Sequence, residues 1–308
     1  MTHARAVLVM AAAAMLWSIA GVVVRQLQAA QGFEVTFWRS AFNALSLLVL
    51  LAWWRGPMPL WASLRTLATP AGRRLWLSGV CWSVMFTAFM VGLTLTTVAN
   101  VLVTMALAPL FTALVAWAVL KHRLPGRTWV AIGMAGAGIA WMYGSQLHAG
   151  DARHWLGTAV ALCVPLAAAV NWTVLQRERG RPGDQPATDF MPAVLLGAGL
   201  SALFTLPLSW PLQGTALDIG LLAGLGLVQL AIPCLMAVTA ARVLSAPEVA
   251  LLSLLEVVFG VVWAWLGAGE APTGAVLGGG LLVLAALAGN EALGLRRARS
   301  AARTAALG

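Results

Sequence analysis

Two ionisable side chains lie inside long apolar stretches of the sequence: Glu256 in Glu248–Ala268 and Arg39 in Phe33–Trp54. A charge within hydrocarbon costs about 2.5–3.5 kcal/mol on insertion scales, so such residues are functional candidates. As a carboxylate, Glu256 could bind a substrate ammonium or carry a proton; the alternative is a hydrogen-bonded carboxyl that fixes helix packing. Arg39 stands near the start of its stretch, where its guanidinium can extend to the interface. Structural anchoring is therefore the favoured interpretation of Arg39, with a charge site as the alternative.

Polar and aromatic side chains inside the apolar stretches form a second set of candidates. Amides in a membrane hydrogen-bond a zwitterion or, more commonly, a neighbouring helix. Indole rings stack on an aromatic or cationic solute, or pack in the core or against lipid. The predicted cavity-lining residues are Trp17, Trp82, Asn100, Thr104, Asn171, Trp172, Gln229 and Glu256.

The composition shows which elements must position these side chains. Of the 308 residues, 61% are hydrophobic and 9% are charged, whereas soluble domains are about 25% charged. A soluble enzyme and a disordered chain are both excluded, because the first needs a charged surface and the second is poor in apolar residues. The sequence therefore predicts an all-α integral membrane protein, since helices satisfy their own backbone hydrogen bonds in lipid.

Ten apolar runs, numbered 1 to 10 in chain order, are each long enough for one helical crossing. The first five are Ala6–Val24, Phe33–Trp54, Leu75–Leu95, Asn100–Leu120 and Thr128–Tyr143. The second five are Trp155–Leu175, Phe190–Trp210, Ile219–Ala241, Glu248–Ala268 and Thr273–Leu293. With the N-terminus in the cytoplasm, 16 of the 19 Lys and Arg residues fall in cytoplasmic segments, as the positive-inside rule requires. We therefore predict ten crossings with both termini cytoplasmic.

The two halves of the sequence carry matching residues. Phe111 and Phe259, like Trp117 and Trp265, are 148 residues apart, and Gly133 and Gly280 are 147 apart. This offset predicts two five-helix repeats, residues 1–146 and 147–308, within one membrane unit. Because five crossings are an odd number, the second repeat is inverted, the construction of many transporters that work by alternating access.

Prolines and small residues suggest where the helices bend and pack. Pro109 and Pro233 lie inside runs 4 and 8, where they disturb the helix, and we predict them as hinges. Glycine and alanine at small-xxx-small spacing in runs 5 and 10 favour close packing or dimerisation. These pairs are Gly133/Ala137 and Gly274/Gly278.

The chain resembles the EamA-type ten-helix exporters of the drug/metabolite transporter superfamily. The resemblance rests on Leu16-Trp17-Ser18, Arg39, Ala108-Pro109, Gly269-Glu270 and Gly278-Gly279-Gly280. Two positions depart from the family pattern. His122-Arg123 replaces the first Gly-Glu, and Glu256-Val257 replaces Glu-Pro, so the helix-breaking proline is missing there.

The resemblance implies an inner-membrane exporter of small metabolites, with amino acids as the expected substrates and an aromatic amino-acid exporter as one branch. The alternative within the family is efflux of cationic compounds by proton antiport. Run 1 lacks the membrane carboxylate that related four-helix antiporters use.

Other classes of function are not favoured by the sequence. All four histidines are predicted in loops or termini, and no Gly-x-Ser-x-Gly or His-Glu-x-x-His motif is present, so an enzyme is not expected. We predict no cofactor and no metal. We also predict no nucleic-acid partner, because the basic residues belong to cytoplasmic loops. The expected partners are a small-molecule substrate and the lipid bilayer, with the protein a monomer or a homodimer. The alternatives from a different class are a membrane-embedded enzyme or a channel.

Overall fold

A computed structural model describes all residues except 70–71, 97, 122–123, 145–151, 180–187, 269–272 and 308. The first half forms α1 (His3–Trp17), α2 (Ala20–Val24), α3 (Phe33–Arg55), α4 (Pro57–Arg65), α5 (Arg73–Leu95), α6 (Val98–Met105), α7 (Ala108–Leu120) and α8 (Gly126–Tyr143). The second half forms α9 (Ala152–Arg179), α10 (Met191–Thr205), α11 (Ala216–Gly224), α12 (Ile232–Ala240), α13 (Ala246–Ser253), α14 (Leu255–Ala268) and α15 (Gly274–Leu307). A π-helical stretch, the π segment Leu225–Ala231, joins α11 to α12. The described residues contain no strand.

Eight helical stretches among the described residues are long and apolar enough to cross a membrane. They are His3–Val24, Phe33–Arg55, Arg73–Leu95, Asn100–Leu120, Ala152–Arg179, Met191–Leu208, Ala216–Ala240 and Ala246–Trp263, and each overlaps one predicted run. Runs 5 and 10 are also helical, in α8 and α15, but are not among the eight. The structure confirms an all-α, multi-pass membrane protein, and the count of ten crossings and the orientation stay predictions.

Prolines stand at two of the helix interruptions. Pro109 lies in the first turn of α7, directly after the break that follows α6, and Pro233 lies in the first turn of α12, after the π segment. Proline has no N–H to continue the α-helical hydrogen bonds of the preceding turn, so the helix changes form there. The two predicted hinge residues therefore occupy real discontinuities, although their role as hinges stays a prediction.

Serines stand at two further interruptions, which were not predicted from the sequence. Ser18 follows α1 and its hydroxyl donates to the carbonyl of Met15 at 2.6 Å. Ser253 ends α13 and its hydroxyl donates to the carbonyl of Ala250 at 2.7 Å. A serine that hydrogen-bonds the preceding turn competes with the backbone and bends the helix. Run 9 is thus interrupted just before Glu256 without the proline that the family pattern carries at that point.

Contacts between helices connect the two halves of the chain throughout. Helix α1 packs against α12 and α14, α3 against the π segment and α10, and α5 against α9 and α10. Helix α7 packs against α9 and α13, and α8 packs against α15. The main hydrophobic core accordingly contains residues from both halves.

Runs 5 and 10 approach each other closely at glycines in both helices. A Cβ on Gly138 would lie 2.7 Å from the carbonyl oxygen of Gly279, and one on Gly279 would lie 2.3 Å from the carbonyl oxygen of Gly138. Neither Gly133 nor Gly274 would bring a Cβ within 4 Å of another described residue. The backbones of α8 and α15 therefore meet at Gly138 and Gly279, and Gly278 of the predicted pairs also packs closely, against the Trp141 ring of α8.

Replacing Gly138 with leucine is expected to destabilise the protein by about 1–3 kcal/mol or more, because the obstructing atom is a backbone oxygen that cannot move alone. Thermal unfolding of the purified protein in detergent, followed by size-exclusion chromatography, measures the effect. Gly133→Leu is the matched control on the same helix, since it faces open space, and its unfolding temperature should stay close to that of the wild type. Equal stability of the two variants would contradict the packing described here.

Candidate functional site

A central cavity brings together six of the residues predicted from the sequence. The space of about 120 Å³ is lined by Trp17, Arg39, Trp82, Trp172, Gln229 and Glu256, among others. These six belong to α1, α3, α5, α9, the π segment and α14, respectively, so that both halves of the chain contribute. We call this space the central cavity.

The interrupted helices meet at the central cavity. Its wall includes residues at or beside every interruption described above: Trp17, Met105, Ala108, Gln229, Ser253 and Leu254. Discontinuous helices form the substrate sites of many transporters, because their ends present backbone groups and partial charges to a solute. Breaks in the middle of four apolar runs are therefore concentrated where a polar solute could be held.

Arg39 is enclosed by protein. Its side chain is 2% exposed, and one terminal nitrogen donates to the carbonyl of Phe86 at 3.2 Å. The Nε atom has no hydrogen-bond partner among the described residues. The guanidinium does not extend to the interface as expected, because α3 packs against α5, α10 and the π segment. Structural anchoring and a charge site both stay predictions for Arg39. A buried guanidinium that lacks a full set of acceptors is suited to bind an anionic group.

Glu256 lies across the central cavity in the first turn of α14. Its carboxylate has no hydrogen bond within the described part of the chain, and Arg39 is close enough for the two charges to interact. A helix N-terminus carries partial positive charge, which favours a carboxylate there. The alternative of a hydrogen-bonded packing carboxyl finds no support in these contacts. The cavity thus holds one cationic and one anionic side chain.

Aromatic rings form the apolar part of the cavity wall. Trp82 meets Trp172 edge to face with ring centroids 5.5 Å apart, and it stacks on Phe86 at the same centroid distance. The indole nitrogen of Trp82 is buried without an acceptor among the described residues. Phe86 and Phe89 also line the cavity but were missed from the sequence. Their spacing from Trp82, close to one and two helical turns, is the signal that could have found them.

Three predicted cavity residues lie elsewhere. Asn171 accepts a hydrogen bond from the Ser78 hydroxyl at 2.6 Å, so it joins α9 to α5. Asn100 contacts His154, and the Thr104 hydroxyl donates to the carbonyl of Asn100 at 2.7 Å. These contacts match the alternative use of membrane amides, hydrogen bonding between helices. His154 lies in α9 rather than in a loop, which corrects its predicted position.

Two buried carboxylates fasten one end of the molecule, which we call the Asp218 end. Asp218 accepts hydrogen bonds from the backbone N–H groups of Gln28, Ala29 and Ala30 at 2.7–3.1 Å. In return, Glu34 accepts from the backbone N–H groups of Gln213 and Gly214 at 2.8–3.0 Å. Each carboxylate therefore holds the loop that precedes the other's helix, and each loop belongs to the opposite half of the chain. The roles of Asp218 and Glu34 were not predicted from the sequence.

The other end, which we call the Asp189 end, is held by ion pairs beside a cavity larger than the central one. Asp189 binds both Arg55 and Arg242, and these side chains are 25%, 25% and 54% exposed, respectively. Arg74 pairs with Glu178 nearby. Arg55, Glu178, Asp189 and Arg242 line a second cavity of about 410 Å³. Since α3 begins beside Asp218 and ends at Arg55, the two ends are separated by the length of that helix.

No group of three or more His, Cys, Asp or Glu side chains that could hold a metal ion occurs in the described part of the chain. The Gly269-Glu270 and His122-Arg123 positions of the family pattern lie outside the described residues.

Comparisons with known proteins give a family match over part of the chain. Residues 4–144 match the model of the EamA-like transporter family, which confirms the resemblance seen in the sequence. A solved structure described as "Crystal structure of protein" is similar over 96% of this chain and 99% of its own, with a TM-score of 0.77 and 18% identity. At that identity the likeness establishes the fold alone. No curated protein sequence matches the chain.

Proposed function

We propose that this protein exports neutral amino acids with apolar or aromatic side chains, because residues 4–144 match the model of the EamA-like transporter family, whose members transport small molecules across membranes. The substrate occupies the central cavity, and the two halves of the chain expose it to each side in turn. The protein resides in an inner membrane with both termini in the cytoplasm.

The observation that carries this proposal is the pairing of Arg39 and Glu256 across a cavity walled by aromatic rings. A zwitterionic amino acid has a carboxylate for the guanidinium and an ammonium for the carboxylate, so that both charges gain a partner. The tryptophan and phenylalanine rings then receive an apolar side chain. A single buried charge of either sign would have favoured an ion of the opposite sign.

The size of the central cavity favours a metabolite over a drug. At about 120 Å³ it is smaller than the ~300–1,000 Å³ of sites that enclose drug-sized ligands. Efflux of cationic compounds would also leave Arg39 repelling the solute at short range. For this reason multidrug efflux is the second candidate.

The contacts between helices support two related repeats. If run 1 corresponds to run 6, and so on to runs 5 and 10, the contact of α1 with α12 corresponds to that of α5 with α9. The contact of α3 with the π segment corresponds to that of α10 with α5, and the contact of α8 with α15 maps onto itself. Inverted repeats related in this way let one set of contacts open while its counterpart closes.

The two ends of the molecule differ in a way that suits alternating access. Buried carboxylates bonded to backbone N–H groups close the Asp218 end, whereas partly exposed ion pairs border the larger cavity at the Asp189 end. Exposed ion pairs contribute little to stability, and buried charge-assisted hydrogen bonds contribute more. We therefore assign this conformation as closed at the Asp218 end, with the Asp189 end the easier one to open.

Counterflow in proteoliposomes tests the proposal. Purified protein is reconstituted with unlabelled phenylalanine inside, and uptake of labelled phenylalanine, tryptophan and leucine is compared with that of a cationic dye. We expect saturable uptake of the amino acids that does not require a proton gradient. Saturable uptake of the dye alone, driven by a pH gradient, would favour proton-coupled efflux, and flux that rises linearly without saturation would favour a channel.

Replacing Glu256 with glutamine is expected to raise KM for amino acids about 10- to 100-fold, because a charge-assisted hydrogen bond to the ammonium is lost. Binding of 3-phenylpropionate, which has the carboxylate and ring but no amine, should remain within about threefold of wild type. Inhibition of counterflow by both compounds, measured between pH 5.5 and 8.5, provides the comparison. Unchanged KM and unchanged pH dependence would remove Glu256 from both substrate binding and proton transfer.

A further inference from the structure

The π segment presents one more polar side chain to the central cavity, the amide of Gln229. This side chain is 3% exposed, and its Nε2 donates to the carbonyl of Trp17 at 3.0 Å. Trp17 is the last residue of α1, where backbone carbonyls no longer have partners in their own helix. The amide therefore satisfies a carbonyl that the end of α1 leaves free.

This contact determines which way the amide faces. A carbonyl oxygen can only accept a hydrogen bond, so the amino group of Gln229 must point towards Trp17 and the Oε1 atom must point away from it. The Oε1 atom is buried and has no partner among the described residues. A buried acceptor without a donor is unfavourable unless a ligand supplies one.

The position of Gln229 is set by packing on the opposite side of the π segment. A Cβ on Gly226 would lie 2.6 Å from the Cβ of Phe42 and 2.7 Å from the backbone nitrogen of Asn43. The π segment is therefore pressed against α3 within one turn of Arg39. Single π-helical turns within α-helices are frequent at functional sites, because the extra residue turns side chains out of the regular pattern.

We propose that Gln229 is a specificity-determining residue that accepts a hydrogen bond from the donor group on the substrate's α-carbon. This inference rests on the proposed function and adds a requirement to it. Arg39 and the Trp82 indole donate to the carboxylate, Glu256 attracts a cationic ammonium, and Gln229 requires an N–H or O–H whatever the charge. An α-keto acid, which has no donor on that carbon, leaves the Oε1 atom unpaired and is rejected.

The test uses substrates that separate Gln229 from Glu256. An α-hydroxy acid and an α-keto acid with the same aromatic side chain are both uncharged at the α-carbon, but only the hydroxy acid has a donor. Their inhibition constants against phenylalanine counterflow are measured for the wild type and for Gln229→Met, which keeps a side chain of similar size. In the wild type we expect the hydroxy acid to bind about 5- to 10-fold more tightly, as one net hydrogen bond allows.

In Gln229→Met this preference should fall below about twofold, while the affinity for the keto acid stays at its wild-type value. The unchanged keto-acid affinity shows that the variant is folded, so a merely structural role would not give this result. If the variant does not fold, the wild-type preference decides alone, and a ratio below about twofold overturns the inference. Saturable phenylalanine transport with unaltered discrimination in the variant overturns the inference but leaves the proposed function standing. Absence of saturable uptake in the wild type overturns both.

Discussion

Replacing Arg39 with glutamine is expected to reduce saturable amino-acid transport at least 100-fold. The guanidinium is buried and faces the central cavity. The substrate carboxylate would therefore lose charge-assisted hydrogen bonds worth about 1.5–3 kcal/mol each. Two such bonds correspond to about a 100-fold loss or more in affinity. Glu256 would also be left as the single charge in the cavity, where it repels a carboxylate. Counterflow of labelled phenylalanine measures the loss.

Two further variants identify the cause of that loss. Arg39→Lys keeps the charge but not the planar, forked geometry of the guanidinium, so we expect partial activity, about a tenth of wild type or less. Arg65→Gln makes the same change at an exposed position of α4 and should transport like the wild type. Wild-type uptake by a correctly folded Arg39→Gln protein would remove Arg39 from the substrate site.

Replacing Asp218 with asparagine is expected to open the end of the molecule that the carboxylate holds closed. Asparagine has nearly the same shape but no charge, and only one of its terminal atoms can accept a hydrogen bond. Depending on which position the amide oxygen takes, either the Gln28 N–H or the three N–H groups of Ala29, Ala30 and Thr215 would therefore lose their acceptor. A thiol reporter is placed with Ala30→Cys in protein whose three native cysteines are replaced by alanine. Its rate of labelling by a water-soluble maleimide should rise at least about 10-fold.

Asp189→Asn is the matched control at the other end. It removes partly exposed ion pairs, which typically contribute about 1 kcal/mol or less, so labelling at Ala30→Cys should change less than about fivefold. Equal effects of the two substitutions, or no change with Asp218→Asn, would contradict the assignment of Asp218 as the fastening of its end.

Much of the helical framework could be predicted from the sequence, because each apolar run is long and hydrocarbon allows few other structures. The breaks at Pro109 and Pro233 were also predictable, since proline removes a backbone donor. The breaks at Ser18 and Ser253 were not, because serine occurs in many uninterrupted helices and bends one only when its hydroxyl bonds the preceding turn. Helix periodicity could not choose between Gly133 and Gly138, because the choice depends on where α15 crosses α8.

The site was predicted in part for a similar reason. Glu256, Trp172 and Gln229 were found because polar and indole groups are conspicuous in apolar runs. The burial of Arg39 was not predicted, because its distance from the end of its run indicates that it can reach the interface but not that neighbouring helices surround it. The reciprocal contacts of Glu34 and Asp218 join residues about 180 positions apart, and their partners are backbone N–H groups, which carry no sequence signal.

Protection of a single cysteine in the central cavity tests directly whether the transported substrate binds there. Ala168 lines the cavity on α9, and Ala68 is exposed near the start of α5. Each is replaced in turn by cysteine in protein without the native cysteines, and labelling by a small thiol reagent is measured against phenylalanine concentration. We predict that phenylalanine slows the labelling of Ala168→Cys, with half-protection at the KM of transport. The labelling rate of Ala68→Cys should not change. Saturable transport with no protection of Ala168→Cys at saturating phenylalanine would contradict this prediction.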